Sequence, residues 1–274
     1  MTAFRDKFNL AGKVAIVTGG AGILGQKFCA GLAEFGAKVA VIDVDEASAA
    51  ALAARLSANY GAGAIGVGCN IAERDSVIEM SKKVIGTFGG VDILHNNAAT
   101  KSSDLAGFFA PFEDVSLDTW REVMSVNLDG AFLVSQAIGR QMISQGRGGS
   151  IINTCSMGGS CVMQGPAYTT FDNSSYGASK AAALYFTKSL ASQVIRFGIR
   201  VNSISPGHIT PRGGGQLAES QEDKATFETF SMSQPAKRTC EVEELMGGLL
   251  YLASEASSYC VGTDLLIDGG HTIW

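Results

Sequence analysis

Tyr176 and Lys180 stand four residues apart in SSYGASKAAALYFTKSLA (174–191), a stretch of strong helical character. That spacing puts both side chains on one helix face, one turn apart. A free phenol is a weak acid, with a pKa of about 10. An ammonium beside it favours the phenolate, which makes the pair a usable acid–base. Ser156 ends the run SIINTCS (150–156), where a hydroxyl could orient a reacting oxygen. Far upstream, TGGAGILG (18–25) follows an apolar run and opens a helical one. Glycines there let the backbone approach a phosphate, and the helix start offers free N–H groups and a favourable dipole. Asp43 ends the next apolar run, KVAVID (38–43). A carboxylate at that place accepts hydrogen bonds from ribose hydroxyls and repels an added 2′-phosphate. The residues after it (Val44, Asp45, Glu46) bring no cation, so NAD is favoured over NADP. Asp43 could instead cap the following helix, a job open equally to Asp45 or Ser48.

Positioning these residues takes a scaffold, and the sequence has an alternating one. Short runs rich in β-branched residues at 13–18, 38–43, 64–69, 91–96, 150–155, 199–205 and 264–268 are apolar on both faces, as buried parallel strands are. Helical patterns lie between them at 24–35, 46–58, 73–88, 117–145, 175–196 and 241–253. The alternation predicts an α/β fold of one domain over 1–274, a doubly wound parallel sheet of about seven strands with helices on both faces. Ligands in such a fold bind at the carboxyl ends of the strands, where Ser156 and Asp43 would sit. The polar, glycine-dense segment at about 207–237 lies outside the pattern and reads as a mobile excursion.

Composition removes other classes. The chain has 274 residues, 46% hydrophobic and 17% charged, which is globular rather than disordered. Net charge is −5 and the 21 basic residues form no cluster, which argues against nucleic acid as a partner. Glycine is abundant, 34 residues without a period, as tight turns and close ligand approach would require. The first thirteen residues contain no apolar signal core, and the uncharged stretch 148–171 is too polar to span a membrane. The six cysteines lie far apart and read as free, mostly buried thiols. His95, His208 and His271 have no metal-ligand spacing, so no metal is expected, and His95 reads as a buried strand-end residue. Together these features predict a cytoplasmic protein.

The motifs taken in order carry a resemblance. TGGAGILG (18–25), NNAA (96–99), VNLDG (126–130), INTCS (152–156), YGASK (176–180), SPG (205–207) and DGG (268–270) resemble the short-chain dehydrogenase/reductase family almost from end to end. The resemblance implies a Rossmann-like fold and an NAD-dependent oxidoreductase that interconverts a secondary alcohol and a ketone. It makes Tyr176 the general acid–base and gives Lys180 two tasks, favouring the phenolate and holding the nicotinamide ribose. Ser156 would orient the substrate oxygen, with Ser160 a competing candidate, and Asn127 would hold a water for proton relay. The cofactor would be lined by Gly19, Gly22, Ile23, Leu24 and Gly25 at the pyrophosphate, by Asn97, Ala98 and Ala99 near the adenosine ribose, by Asn70 and Ile71 at the adenine, and by Pro206, Gly207, Ile209 and Thr210 at the nicotinamide. The chain departs from the family pattern at several points. Ile23 stands where a glycine is usual and the glycine has moved to Gly22, Asn70 replaces an aspartate, Thr210 comes one place early, and Ser156 and Tyr176 are further apart than usual.

The extra residues bring Met163, Tyr168, Phe171 and Asp172 toward Ser156, and the excursion adds His208, Arg212 and a Gly213–Gly215 hinge suited to a lid over substrate. The segment 99–114 would border the same cleft. Mixed polar and aromatic residues fit a hydroxylated small molecule and equally a cyclic or aromatic alcohol, while the Gly22 variant and the DGGHTIW ending resemble members acting on sugars, polyols or sugar acids. A reductase of fatty-acyl, cyclic or aromatic ketones is the alternative, and a non-catalytic dinucleotide sensor a third. Family resemblance also implies a homo-oligomer, a tetramer or a dimer.

Overall fold

The computed structural model describes residues 3–162, 174–209, 232 and 234–273. Seven strands form one sheet: β1 (Val14–Thr18), β2 (Lys38–Asp43), β3 (Ala64–Gly68), β4 (Ile93–Asn96), β5 (Gly149–Thr154), β6 (Ile199–Pro206) and β7 (Asp264–Ile267). All neighbouring pairs are parallel and the order is β3-β2-β1-β4-β5-β6-β7. Strand boundaries differ from those read in the sequence by two residues at most. Between β1 and β4 the winding reverses, which opens a crevice at the carboxyl end of the sheet.

The strands are apolar on both faces because both faces are covered. From β1, Ala15 and Val17 enter one core cluster, with Phe28, Leu32, Leu52 and Leu249. Val14 and Ile16 enter the other, with Met80, Val84, Ile138 and Val194. The first face is covered by α1 (Ile23–Glu34), α2 (Glu46–Tyr60) and α8 (Met246–Ala253), the second by α3 (Arg74–Phe88), α6 (Ala131–Gln145) and α7 (Ser174–Val194). Along β1 the buried side chains alternate between the two clusters with a period of two, as the pleat dictates.

The segment 117–145, expected as one helix, is not one. It divides into α5 (Leu117–Met124), a π-helical turn over Ser125–Gly130, and α6. The wider turn carries Asn127. A π turn adds a residue without changing helical composition or apolar spacing enough to leave a mark in the sequence, and such turns gather at functional sites. One further helical turn, α4 (Leu105–Phe108), stands within the 99–114 segment. None of the six cysteines is in a disulfide; Cys29, Cys69 and Cys155 are buried and Cys161, Cys240 and Cys260 half-buried, so the expectation of mostly buried thiols holds for half of them.

Candidate active site

The carboxyl ends of β1, β2 and β4 meet around the glycine turn. Gly19 has φ +59°, and a Cβ there would come 2.8 Å from the Ala98 Cα. A Cβ on buried Gly25 would run into the Gly19 carbonyl oxygen. Only glycines let the turn, α1 and the end of β4 approach this closely. Gly22 is the N-cap of α1 and brings no side-chain cap, so the first-turn N–H groups at Ile23 and Leu24 face outward without one. Ile23 is exposed and Leu24 half-buried against the α1 core. Asn97 fastens β4 to the turn: its Nδ2 donates to the Thr18 and Gly19 oxygens at 3.0 and 3.2 Å, and the Thr18 hydroxyl accepts from the N–H groups of Asn97 and Ala98. The buried Asn97 Oδ1 has no hydrogen-bond partner among the described residues.

Asp43 ends β2 with one oxygen accepting from the Ala21 N–H at 3.0 Å and the other from the Asp45 N–H at 3.2 Å. Each oxygen keeps a lone pair for a further donor. The helix-cap role falls to Asp45, which accepts from the Ser48 N–H and hydroxyl at 3.1 and 2.6 Å. Asn70 turns its Oδ1 onto the Ala72 N–H and its Nδ2 onto Glu73, with Ile71 buried beside it. An anion-accepting helix start, an orphaned amide oxygen and an open-handed carboxylate on one crevice form a cradle that fits a dinucleotide. The exposed Ile23 side chain, standing where a glycine is usual, leaves the N–H groups of the turn uncovered by a side-chain cap.

Catalytic candidates collect at the ends of β5 and α7. Lys180 is 3% exposed, its Nζ donates to the Thr154 carbonyl oxygen at 2.7 Å and lies 5.7 Å from the Tyr176 ring centroid. Tyr176 is half-buried. Ser156 is buried and caps a short 3-10 turn (Met157–Gly159), its Oγ accepting from the Gly158 N–H at 3.1 Å. An Oγ that accepts from backbone keeps its own hydrogen to donate. That turn lies against α7: a Cβ on Gly159 would come within 2.8 Å of the Lys180 backbone. Ser160 is exposed at the end of the turn and does not share this setting. Asn127 is buried, accepts from the Thr100 N–H at 2.8 Å, and donates to the Thr100 oxygen and the Ser179 hydroxyl, both at 3.2 Å. Between these groups, Cys155 is pushed up to about 11 by burial and stays a thiol.

Pro206 closes β6. Beyond it, Gly207 donates to the Ile267 oxygen, and a Cβ there would come 2.7 Å from the Asp268 Cα. The backbone of His208 and Ile209 is held against Cys240. Asp268 is fixed from the other side by Gly270 and Thr272, which together outweigh its burial and hold its carboxyl low. His208 stacks edge-on against His271, 5.7 Å between ring centroids, and burial followed by His271 lowers its pKa to about 4. Met163, Tyr168, Thr210 and Arg212 lie outside the described residues, as do Phe171, Asp172 and the Gly213–Gly215 stretch.

The sequence reading missed two groups here. Thr100 is the backbone partner of Asn127. Glu122 accepts from the Ser102 hydroxyl at 2.6 Å and from the Ser103 N–H at 2.9 Å, which holds Ser102 at φ +88°. The segment 99–114 is expected to border the cleft, but nothing in the sequence singles out Thr100 or pairs Ser102 with Glu122. A cleft of about 510 Å³ lies at the opposite end of the strands, lined by Lys13, Asp92, Arg147 and Arg200 among others, and takes no part in this site. Among the described residues no group of three or more His, Cys, Asp or Glu could hold a metal, and no helix is long and apolar enough to cross a membrane.

A sequence profile for the family described as "Enoyl-(Acyl carrier protein) reductase" matches residues 20–272. The chain is 34% identical to the D-threitol dehydrogenase of Mycolicibacterium smegmatis over 97% of its own length and 95% of that protein. It is 34% identical to the galactitol 2-dehydrogenase (L-tagatose-forming) of Cereibacter sphaeroides over 99% of each chain. Among solved structures, a short-chain type dehydrogenase/reductase from Mycobacterium marinum superposes with a TM-score of 0.87 at 35% identity, covering 98% of this chain and 99% of that one. A gluconate 5-dehydrogenase from Burkholderia cenocepacia in complex with NADP and tartrate gives 0.86 at 33%, over 98% of each. An NAD+-bound xylitol dehydrogenase gives 0.83 at 33%, over 96% of this chain and 100% of that one. With the seven-stranded parallel sheet and its carboxyl-end site, these likenesses place the chain in the short-chain dehydrogenase/reductase family, whose members similar to it are oxidoreductases of CH–OH groups.

Proposed function

We propose that this protein is an NAD-dependent dehydrogenase that interconverts a secondary alcohol and a ketone on a sugar, polyol or other small hydroxylated substrate. The observation that carries the reading is the Lys180 ammonium, buried and held by Thr154, on the same helix face as Tyr176 and packed against the turn of Ser156. In alcohol oxidation the Tyr176 phenolate takes the hydroxyl proton as the C–H bond breaks; in ketone reduction the phenol returns it. Lys180 favours the phenolate by its charge. Ser156 donates its free hydroxyl hydrogen to the substrate oxygen and steadies charge that builds there. Asn127, anchored to Thr100 and Ser179, orders the path by which the proton leaves. A bound nicotinamide dinucleotide supplies the hydride acceptor or donor. Gly19, Gly22, Ile23, Leu24, Asn97, Ala98 and Ala99 hold its phosphate and ribose end, Asn70 and Ile71 flank the adenine, and Pro206, Gly207 and Ile209 back the nicotinamide.

NAD rather than NADP is read from Asp43. Its free lone pairs suit ribose hydroxyls, while its charge, with Asp45 and Glu46 following, opposes a 2′-phosphate. Both dinucleotides are bound by solved relatives of comparable similarity, so this residue decides the reading. The polyol and sugar class follows the threitol and galactitol enzymes that the chain matches along its whole length. The same reading makes the protein a cytoplasmic homo-oligomer, a tetramer or dimer, with α7 presenting Tyr185 at 75% exposure.

Absorbance at the reduced-nicotinamide band tests it. Polyols, sugar acids, cyclic alcohols and β-hydroxyacyl compounds are offered with NAD and with NADP, beside Tyr176→Phe. Turnover with NAD and a polyol or sugar acid, lost in the variant, is the expected result. Turnover restricted to acyl or cyclic ketones would replace the substrate class, and activity in Tyr176→Phe would remove the catalytic assignment.

A further inference from the structure

The hydrogen bond that holds the Lys180 ammonium ends on a main-chain oxygen, and the residue carrying that oxygen is itself held. Thr154 Oγ1 lies 2.8 Å from Nε2 of His95. His95 stands on β4 in register with Val17 of β1 and Ile152 of β5, so its ring enters the core face covered by α1. There it is fully buried and packs on Phe28 of α1, ring centroids 4.6 Å apart. Its other nitrogen, Nδ1, is buried with no hydrogen-bond partner among the described residues.

An imidazole is a costly choice for such a place. The neighbours are apolar, and an aliphatic side chain would fill the space without leaving a polar atom unpaired, a defect that destabilises a fold. The bond to Thr154 is what the imidazole adds. An orphaned buried N–H is rarer than an orphaned acceptor, which makes Nε2 the protonated nitrogen, donating to Thr154 Oγ1, and leaves Nδ1 as a bare lone pair. Burial pushes the His95 pKa down to about 3, so the ring stays neutral and keeps this donor role throughout the working range. Cys29, next to Phe28 on α1, is pushed up by burial and stays a thiol, as does Cys155, which follows Thr154 in the chain. The Asp264 carboxylate on β7 is taken by the Ser203 and Ser205 hydroxyls.

We infer that His95 is a positioning residue, which fixes Thr154 so that its carbonyl oxygen places the Lys180 ammonium beside Tyr176. The chain of contacts runs from Phe28 in the helix that opens at the glycine turn, through His95 and Thr154, to Lys180, and joins the two halves of the site. The inference rests on the proposed roles of Tyr176 and Lys180.

The pH profile of kcat/KM in the direction of alcohol oxidation reads it, for the wild type, His95→Leu, His95→Gln, Thr154→Val and Tyr176→Phe, with dinucleotide affinity measured separately by fluorescence titration. Weaker placement of the ammonium moves the acidic limb to higher pH. His95→Leu and Thr154→Val should each shift its midpoint upward by about half a unit or more, with dinucleotide Kd within about twofold of wild type. His95→Gln, which keeps an N–H donor at the reach of Nε2, should return most of the shift. Thr154→Val retains the carbonyl and the β-branched shape, and so decides the matter if His95→Leu does not fold. An unmoved midpoint in Thr154→Val, beside an inactive Tyr176→Phe, overturns the inference alone. An active Tyr176→Phe overturns the reading beneath it, and the inference with it.

Discussion

The glycine turn and the Tyr176–Lys180 end lie side by side along the same rim of the sheet, yet they are made of different material. At the turn the working surface is backbone: N–H groups at the start of α1, held open by Gly19, Gly22 and Gly25, with Asn97 as a fastener. At the other end it is side chain, set on a helix and a strand end whose backbone is satisfied elsewhere. The difference teaches where each half is fragile. A backbone surface should tolerate changes of side chain that stay outside it, such as at the exposed Ile23, but no Cβ inside it. A side-chain surface loses its chemistry with one atom and keeps its fold.

Tyr176→Phe should test this most severely. Removing one oxygen from a half-buried side chain should lower kcat by about 10²–10⁴-fold, with thermal unfolding and dinucleotide Kd near wild type. Loss of dinucleotide binding in this variant would break the division between the halves. Gly25→Ala is the converse. Its Cβ must displace the Gly19 carbonyl, so dinucleotide Kd should weaken by about tenfold or more while kcat at saturating dinucleotide changes little. A fall confined to kcat would show that the turn is tied to the chemistry rather than to binding. Asp43→Ser removes the carboxylate proposed to meet the ribose hydroxyls. The preference for NAD over NADP in kcat/KM should fall by about tenfold, the worth of a hydrogen bond to a charged group. An unchanged ratio would assign the preference to another residue.

The smallest effect concerns the loop that Glu122 clamps beside Asn127. The Ser102 hydroxyl, and then the Ser103 N–H, hold the Glu122 carboxyl below the usual carboxylate range. A group depressed in the folded state contributes stability that is present above its unfolded value, about 4.3, and is lost as pH falls through the folded one. Glu122 is partly exposed, so water screens the contribution to below about 1 kcal/mol. Unfolding of wild type and Glu122→Gln followed by circular dichroism should differ slightly at pH 7 and converge as pH drops below 4. A gap that widens in acid would reverse the sign and remove the clamp.

Much of this was legible in one dimension. Strands with both faces apolar could only belong to a sheet covered on both sides, and the Tyr176–Lys180 spacing puts its own geometry in the sequence, because a helix repeats every 3.6 residues. The glycine turn was legible for the same reason: its chemistry is local. Asn127 carried no such mark, since a π turn and a continuous helix share composition and nearly share apolar spacing.

Local chain physics therefore determined the elements, their order, the covered sheet and the face on which Tyr176 and Lys180 stand. Tertiary structure alone decided which distant groups meet: Lys180 with Thr154 across 26 residues, Asn127 with Thr100 across 27, His95 with Thr154 across 59 and Asn97 with Thr18 across 79. Those pairs depend on sheet order and on the crevice where the winding reverses. Side chains brought together by topology leave no periodic signal along the chain, because nothing in their separation is set by the geometry of a helix or a strand.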